Sequence, residues 1–397
     1  MSSDTPLAEM QRAAGASFEP YFGVSLPAQF RDPVEEHRTA RQSAALTDTN
    51  FRTVFSLSGA DRARYLNAIT TGNIRDLAPG QGNIGLLLSA QGHILAELET
   101  LALDDRFLLL GHELVREQTF ATLDKYIIMD DAVLTDQTAE SGTLAVEGPA
   151  APEIVRALTG VELSTLPPRG HVESSSKIRE AAGTAGGAGT IPCRIIRHSL
   201  FGFPGAEFLV RLDELSALWS MLDTAVRASG GAPIGYRALN SLRLEAGVPW
   251  FGSDFDQRHI PHEAALETTH ISFTKGCYTG QEIVERVRSR GHVNRRLTGL
   301  AFAAATPPEP ESKLMADGAE AGSVTSSAFS PLLGRPIGFG YVRREFGSVG
   351  TKLRCGETAA EVIELPFPGA LPGAQPVSPA APAVPGPPPA PGAPAKS

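Results

Sequence analysis

Between residues 51 and 135 short β-like runs alternate with helix-like stretches, and this alternation constrains the fold more than any other feature of the chain. The runs Thr53-Val-Phe-Ser-Leu-Ser and Leu95-Ala-Glu-Leu-Glu-Thr-Leu-Ala-Leu read as strands, and residues 60–69 and 113–126 read as helices. The pattern points to an α+β fold. Residues 191–228 repeat it, with strand candidates at 193–196 and 207–212 and a helix over 213–228, so another domain, or another half of one, begins there. Near the end Arg296-Leu-Thr-Gly-Leu-Ala-Phe, Gly322-Ser-Val-Thr-Ser, Ile337-Gly-Phe-Gly-Tyr-Val and Lys352-Leu-Arg-Cys are short runs between Pro/Gly/Ser turns. A small β-barrel is the natural reading.

A chain of 397 residues, 42% apolar and 20% charged, is long enough for two or three domains. Its longest apolar runs fall far short of the roughly 20 residues of a membrane span, and Met1-Ser-Ser-Asp-Thr-Pro does not begin like a secretory signal. A cytoplasmic protein with no membrane partner is expected. Lysine and arginine number 35 against 44 acidic residues, a net charge of -9, which argues against a nucleic-acid partner. Cys193, Cys277 and Cys355 are too widely spaced for a disulfide framework or a metal cage. From about Pro366 a proline- and alanine-rich run reads as a disordered tail, and the glycine-rich stretch over 181–189 as a mobile loop. No Lys-Ser/Thr pair follows those glycines, so they are no phosphate loop.

The segment Lys275-Gly-Cys-Tyr-Thr-Gly-Gln-Glu282 carries the most chemistry. Thr279 and Glu282 have the spacing of a capping box, which predicts a helix from Gly280 through Ile283, Val284 and Val287. Cys277 then sits just ahead of a helix N-terminus, where the macrodipole and the charge of Lys275 favour a thiolate. A small residue at a crowded turn is the other reading of Cys277. Gly276 and Gly280 suit close approach to a ligand, and equally suit tight turns.

That segment, followed by Val284-Glu-Arg286, resembles the signature of the YgfZ-type folate-binding proteins, which support iron–sulfur enzymes and are related to the glycine-cleavage aminomethyltransferases. Arg243-Leu-Glu-Ala-Gly-Val-Pro-Trp-Phe-Gly-Ser-Asp254 and Pro261-His-Glu-Ala-Ala-Leu266 resemble a segment that both branches share. Ala45-Leu-Thr-Asp, residues 54–66 and Val324-Thr-Ser-Ser-Ala-Phe-Ser-Pro331 resemble their other common blocks, so the likeness runs from about residue 20 to 362.

The resemblance implies a three-domain ring around a hole that holds tetrahydrofolate, with a barrel last. The expected division is an N-terminal arm over 1–19, a folate-binding α+β region over 20–298 with two interleaved domains split near 140 and 235, a barrel over 299–365 and a tail over 366–397. The implied folate-binding residues are Arg243, Glu245, Lys275, Gly276, Tyr278, Gln281 and Arg286, with Cys277 as the catalytic thiol. Arg243 and Glu245, two apart on an extended segment, would point to one side, and a guanidinium suits the folate carboxylate tail. An internal pair of Arg243 with Glu245 or Asp254 is the alternative. Tyr236, Trp250 and Phe251 offer stacking faces or core residues.

Two departures bear on activity. The aminomethyltransferases carry an aspartate pair after a Gly-x-Ile-x block, whereas here Gln91-Gly-His-Ile-Leu leads to Ala96-Glu97. In Gly202-Phe-Pro-Gly-Ala-Glu207 alanine stands where the resemblance implies a pterin-reading glutamate, and Glu207 would substitute only from a shifted loop. His259, His262, His270, Asp254 and Asp256 match no metal-ligand spacing, so no metal is expected. Arg286, Arg288, Arg290, Arg295 and Arg296 suit a helix C-terminus, a polyglutamate tail or an acidic partner. The first functional reading is a tetrahydrofolate-binding protein for iron–sulfur cluster assembly or repair, with iron–sulfur enzymes or assembly proteins as partners. The alternative is a folate-dependent aminomethyltransferase, and a third reading is a folate-binding module without chemistry.

Overall fold

The structure, a computed structural model, describes residues 2–174 and 190–371. The glycine-rich stretch over 181–189 and the tail beyond 371 lie outside the described residues.

Successive side chains of a strand point to opposite faces, and this rule builds the core from strand Ser141–Glu147 outward. Leu144 and Val146 enter one core, while Ala145 joins another that contains Tyr236, Leu239 and Leu242. The strand lies in a six-stranded sheet ordered His171–Ser174, Cys193–Arg197, Gly205–Arg211, Ser141–Glu147, Ala45–Asp48 and Ala232–Pro233. Helix Leu215–Ala228 covers the first face with Leu215, Leu218, Trp219, Leu222 and Val226, a three- and four-residue spacing that makes one apolar stripe. Helix Tyr236–Glu245 faces the second core.

A five-stranded antiparallel sheet runs Gly82–Leu88, Ile94–Ala102, Arg106–His112, Arg52–Ser58, Val133–Asp136. Tyr65, Leu66 and Ile69 of helix Arg62–Ile69 pack on one face with Ala96 and Leu98. The other face meets the six-stranded sheet, where Val54, Leu101, Leu108 and Leu110 touch Ile196 and Leu209. Strands Arg295–Phe302, Arg335–Arg343, Ala319–Ser330, Lys313–Ala316, Lys352–Cys355 and Thr358–Ile363 close into the barrel expected from the sequence. It is held to helix Tyr236–Glu245 by Asn240, which donates to the Ser327 carbonyl at 3.1 Å, and Ser241, which donates to that of Phe329 at 2.9 Å. Among the described residues no helix is long and apolar enough to cross a membrane.

Three local expectations are corrected. Residues 243–245 are not extended but end helix Tyr236–Glu245, so Arg243 and Glu245 lie roughly 200° apart around its axis. Residues 2–19 are built into the fold rather than forming a separate arm: Ser3–Asp4 pairs in parallel with Val24–Gln29, and Thr5 and Gln11 donate to Asp48 at 2.8 and 2.7 Å. Residues 366–371 do not begin the tail. Phe367 is 2% exposed and its N–H bonds the Glu245 carbonyl at 2.9 Å, while Arg41 donates to the carbonyls of Gly369 and Ala370. One buried aromatic ring outweighs the composition around it.

Candidate functional site

Where the two sheets and helix Tyr236–Glu245 converge they enclose a cavity of about 130 Å³, close to the ~150 Å³ that accommodates a benzene ring in an engineered core. Its apolar wall is aromatic. Phe22 and Phe51 lie 4.4 Å apart by ring centroids, Trp250 meets Phe22 edge-on at 5.2 Å, and Tyr236 and Phe251 complete the lining. Tyr236 is fixed by donating its hydroxyl to the Asp48 carbonyl at 2.8 Å. The opposite wall is ionic, with Arg52, Glu97, Glu99, His112, Arg169, His198 and His270.

Strand alternation explains that ionic wall. In Ile94–Ala102, Ala96 and Leu98 face the core under helix Arg62–Ile69, which sends Glu97 and Glu99 to the cavity. In Gly205–Arg211, Ala206, Phe208 and Val210 face the other helical core, which sends Glu207 toward Arg52. Ala96 and Ala206 therefore occupy core positions, and no shifted loop is needed to bring Glu207 inward. The positions that can present a carboxylate are the next ones, and both carry glutamate.

Glu97 is gripped by two histidines. His270 Nε2 lies 2.9 Å from Oε1 and His112 Nε2 lies 3.2 Å from Oε2. Burial would raise the Glu97 pKa, but the hydrogen bonds from His112 and His270 outweigh it and hold the group well below the ordinary carboxylate value. The Thr269 hydroxyl reaches His270 Nδ1 at 2.7 Å, which orients the ring, and Thr71 donates to the His270 carbonyl at 2.6 Å.

A second cluster centres on Arg52. Its guanidinium donates to both oxygens of Glu207 at 3.2 Å and lies 3.1 Å from His198 Nε2 and 3.6 Å from Glu99. Burial alone would raise the Glu207 pKa, and the Arg52 charge lowers it. The set Glu99, His198 and Glu207 is close enough to ligate a metal. The Arg52 cation already contacts all three, so the chemistry of the set fits a guanidinium. Glu99 differs from Glu207: it is 2% exposed, and neither of its oxygens accepts a hydrogen bond.

The residues singled out from the sequence go elsewhere. Arg243 is 1% exposed and donates to Asp254, Asn240 and the Val248 carbonyl, which is the internal pair rather than a face on the cavity. Glu245 accepts from His37 at 2.9 Å and from Ser330. Lys275 donates to the carbonyls of Thr70 and, at 2.7 Å, Gly72, closing the end of helix Arg62–Ile69; burial lowers its pKa to about 8. Helix Gln281–Arg290 forms as expected, but Gly280 is its N-cap and Thr279 provides no cap. Gly280 has φ 80°, and a Cβ there would meet the Ser89 carbonyl at 2.6 Å, so the glycine seats the helix on the hairpin turn at 89–93. Gln281 accepts from the Tyr278 N–H at 3.3 Å, Tyr278 is buried, and Arg286 pairs on the surface with Glu282 at 2.9 Å. Gly276 has open space around it, and Cys277 is exposed. The segment 275–286 lines none of the cavity.

Sequence reasoning missed Arg52, Glu99, His112, Arg169 and His198, and weighed His270 only as a metal ligand. The signal for Glu99 was present, since two glutamates alternating inside an apolar strand must share one face.

A central cavity between two α+β units, backed by a six-stranded barrel, defines the class to which this chain is assigned by comparison with known proteins. Residues 7–275 match the family described as the GCVT N-terminal domain, and residues 295–367 match the glycine cleavage T-protein C-terminal barrel domain. The chain belongs to this glycine cleavage T-protein family. It is 30% identical to the aminomethyltransferase of Streptomyces coelicolor, over 91% of this chain and 96% of that protein. It is 29% identical to the aminomethyltransferase of Symbiobacterium thermophilum, with the same coverage. The structure of glycine cleavage system aminomethyltransferase T from Bartonella henselae shares the fold, with a TM-score of 0.81 at 24% identity over 92% of this chain and 98% of that one.

Proposed function

We propose that this chain is a folate-dependent one-carbon transferase of the aminomethyltransferase type, the alternative among the sequence readings rather than the first. The observation that carries it is Glu97: a carboxylate kept ionised by two histidines, on the floor of an aromatic cavity. A buried anion preorganised in this way holds a cationic amine without reorganising. His112 and His270 fix its orientation, and Phe22, Phe51 and Trp250 supply the apolar wall of the same cavity. The named activity of relatives at 30% and 29% identity supports the same reading.

The cavity is of ring size rather than of the size of a whole folate, and its flat apolar wall beside orphaned polar atoms suits the pterin end of a reduced folate. When bound, the folate would supply the nucleophilic amine that takes up the one-carbon unit. Tyr236, Trp250 and Phe22 would hold the ring, with Glu97 beside it. Incubation of the purified chain with tetrahydrofolate and an aminomethylated carrier protein tests this, with methylenetetrahydrofolate as the expected product. Saturable folate binding without turnover would remove the transferase reading and leave a binding module.

The iron–sulfur maintenance reading rests on one observation, that Cys277 in the signature segment is exposed whereas Cys193 and Cys355 are buried. It requires that Cys277→Ala, still binding folate, fail to restore cluster-enzyme activity in a deletion strain. Full rescue would remove it.

A further inference from the structure

Three histidines line the cavity, and the groups that hold them decide which ring nitrogen carries the proton. His270 has both nitrogens engaged, Nε2 by Glu97 at 2.9 Å and Nδ1 by the Thr269 hydroxyl at 2.7 Å. His198 Nε2 lies 3.1 Å from the Arg52 guanidinium, which can only donate, while Glu99 at 3.5 Å makes no hydrogen bond with it. The lone pair of His198 is therefore on Nε2 and its proton on Nδ1. His112 is the reverse. Its Nε2 lies 3.2 Å from Oε2 of the ionised Glu97, which can only accept, so the proton sits on Nε2 and the lone pair on Nδ1. That Nδ1 is buried and has no hydrogen-bond partner.

The ring of His112 ends strand Arg106–His112 and lies 5.2 to 5.5 Å, between centroids, from those of Phe51, Phe251 and Phe22. These apolar neighbours offer Nδ1 nothing to bind, and a carboxylate on the opposite nitrogen stabilises the imidazolium formed when Nδ1 takes a proton. A ring held in one tautomer by a carboxylate, with its other nitrogen bare, is equipped as a general base. His270 has no nitrogen to spare and His198 presents a donor, so among the three only His112 can accept a proton from a ligand.

We propose that His112 is a catalytic general base, taking at Nδ1 the proton of the substrate N–H that attacks the methylene carbon. The proposal rests on the transferase reading above. As the new C–N bond forms, the old one breaks and its electron pair leaves on ammonia. The proton of the attacking N–H goes to Nδ1, and the imidazolium beside Glu97 gives it to the departing ammonia, which leaves as ammonium.

Two measurements on the full chain test it. Nitrogen-15 NMR of the ligand-free protein, with the His112 signals assigned by their loss in His112→Gln or His112→Ala, should show a protonated Nε2 and a bare Nδ1. Turnover of an aminomethylated carrier with tetrahydrofolate should fall about 100-fold in kcat in His112→Ala, checked for folding by thermal unfolding, and added imidazole should restore part of it. A protonated Nδ1 in the neutral ring overturns the proposal without reference to activity, and it decides alone if neither variant folds. Undiminished turnover in a folded His112→Ala, or a loss that imidazole does not repair, overturns the assignment of His112 and leaves the transferase reading standing. No turnover by the unmodified protein removes that reading and the catalytic role with it.

Discussion

Glu97 Oε1 and His270 Nε2 lie 2.9 Å apart although 173 residues separate them. The strand that carries Glu97 belongs to the five-stranded sheet, and His270 belongs to the irregular segment that leads toward the barrel. The contact therefore joins a strand carboxylate to a ring brought in from a distant segment that packs on the same sheet. His270→Ala should lower the rate of aminomethyl transfer by about 100-fold with a smaller change in KM. Steady-state kinetics check this, and a change confined to KM would show that His270 acts only in binding.

The same hydrogen bonds set a pH dependence of stability. Glu97 has a folded pKa well below its ordinary 4.5. Such a group contributes stability that is fully present above the unfolded value and is lost as pH falls through the folded one. Glu97→Gln should therefore be less stable than the unmodified protein by about 1–3 kcal/mol at neutral pH, with the gap closing as pH drops below about 4.5. Urea unfolding at a series of pH values measures the gap.

Arg243 and Asp254 form a pair with side chains 1% and 0% exposed. Asp254 also accepts from Thr325 at 2.7 Å and from Ser326, so it ties the helix to the barrel. Arg243→Ala leaves a buried charge unpaired and should cost about 3–5 kcal/mol in urea unfolding. Folate affinity of the folded fraction should fall by less than about tenfold, because the guanidinium does not line the cavity but stacks on Trp250, which does.

Phe367 packs with Leu244, Phe339 and Ile337 at the junction of helix and barrel. Phe367→Ala should lower stability by about 3–5 kcal/mol, measured by denaturant unfolding.

Among the cysteines, Cys277 should be labelled first by a thiol reagent in the native protein. Burial pushes the Cys193 thiol up to about 11 and also raises that of Cys355, so both hold their protons at neutral pH. Peptide mass spectrometry after brief labelling identifies the site.

Local periodicity was enough to find strands such as Arg52–Ser58 and helix Leu215–Ala228, because their apolar residues repeat at the spacing of the element. The barrel was legible from four of its runs, whereas Lys313–Ala316 and Thr358–Ile363 are short and mixed in polarity. The site was harder to read. The charged cluster joins Arg52, Glu97, Glu99 and His112 of one sheet with Glu207 of the other and His198 just past one of its strands, and only the packing of the two sheets shows which carboxylates meet which bases. Ala96 and Ala206 looked like losses because a one-residue change of position on a strand reverses the face. The segment 275–282 resembled the YgfZ-type branch, whereas the relatives found are aminomethyltransferases; its lysine closes a helix end and Gly280 seats a helix on a turn, roles that the motif alone does not reveal.

The central claim is that Glu97 holds the reacting amine, and the most direct measurement is tetrahydrofolate-dependent turnover of an aminomethylated carrier by the unmodified chain and by Glu97→Gln. The expected result is methylenetetrahydrofolate formation by the unmodified protein and a loss of about 100-fold or more in kcat for Glu97→Gln, with folate still bound. Equal turnover by the two proteins, or none by either with folate bound, would contradict it.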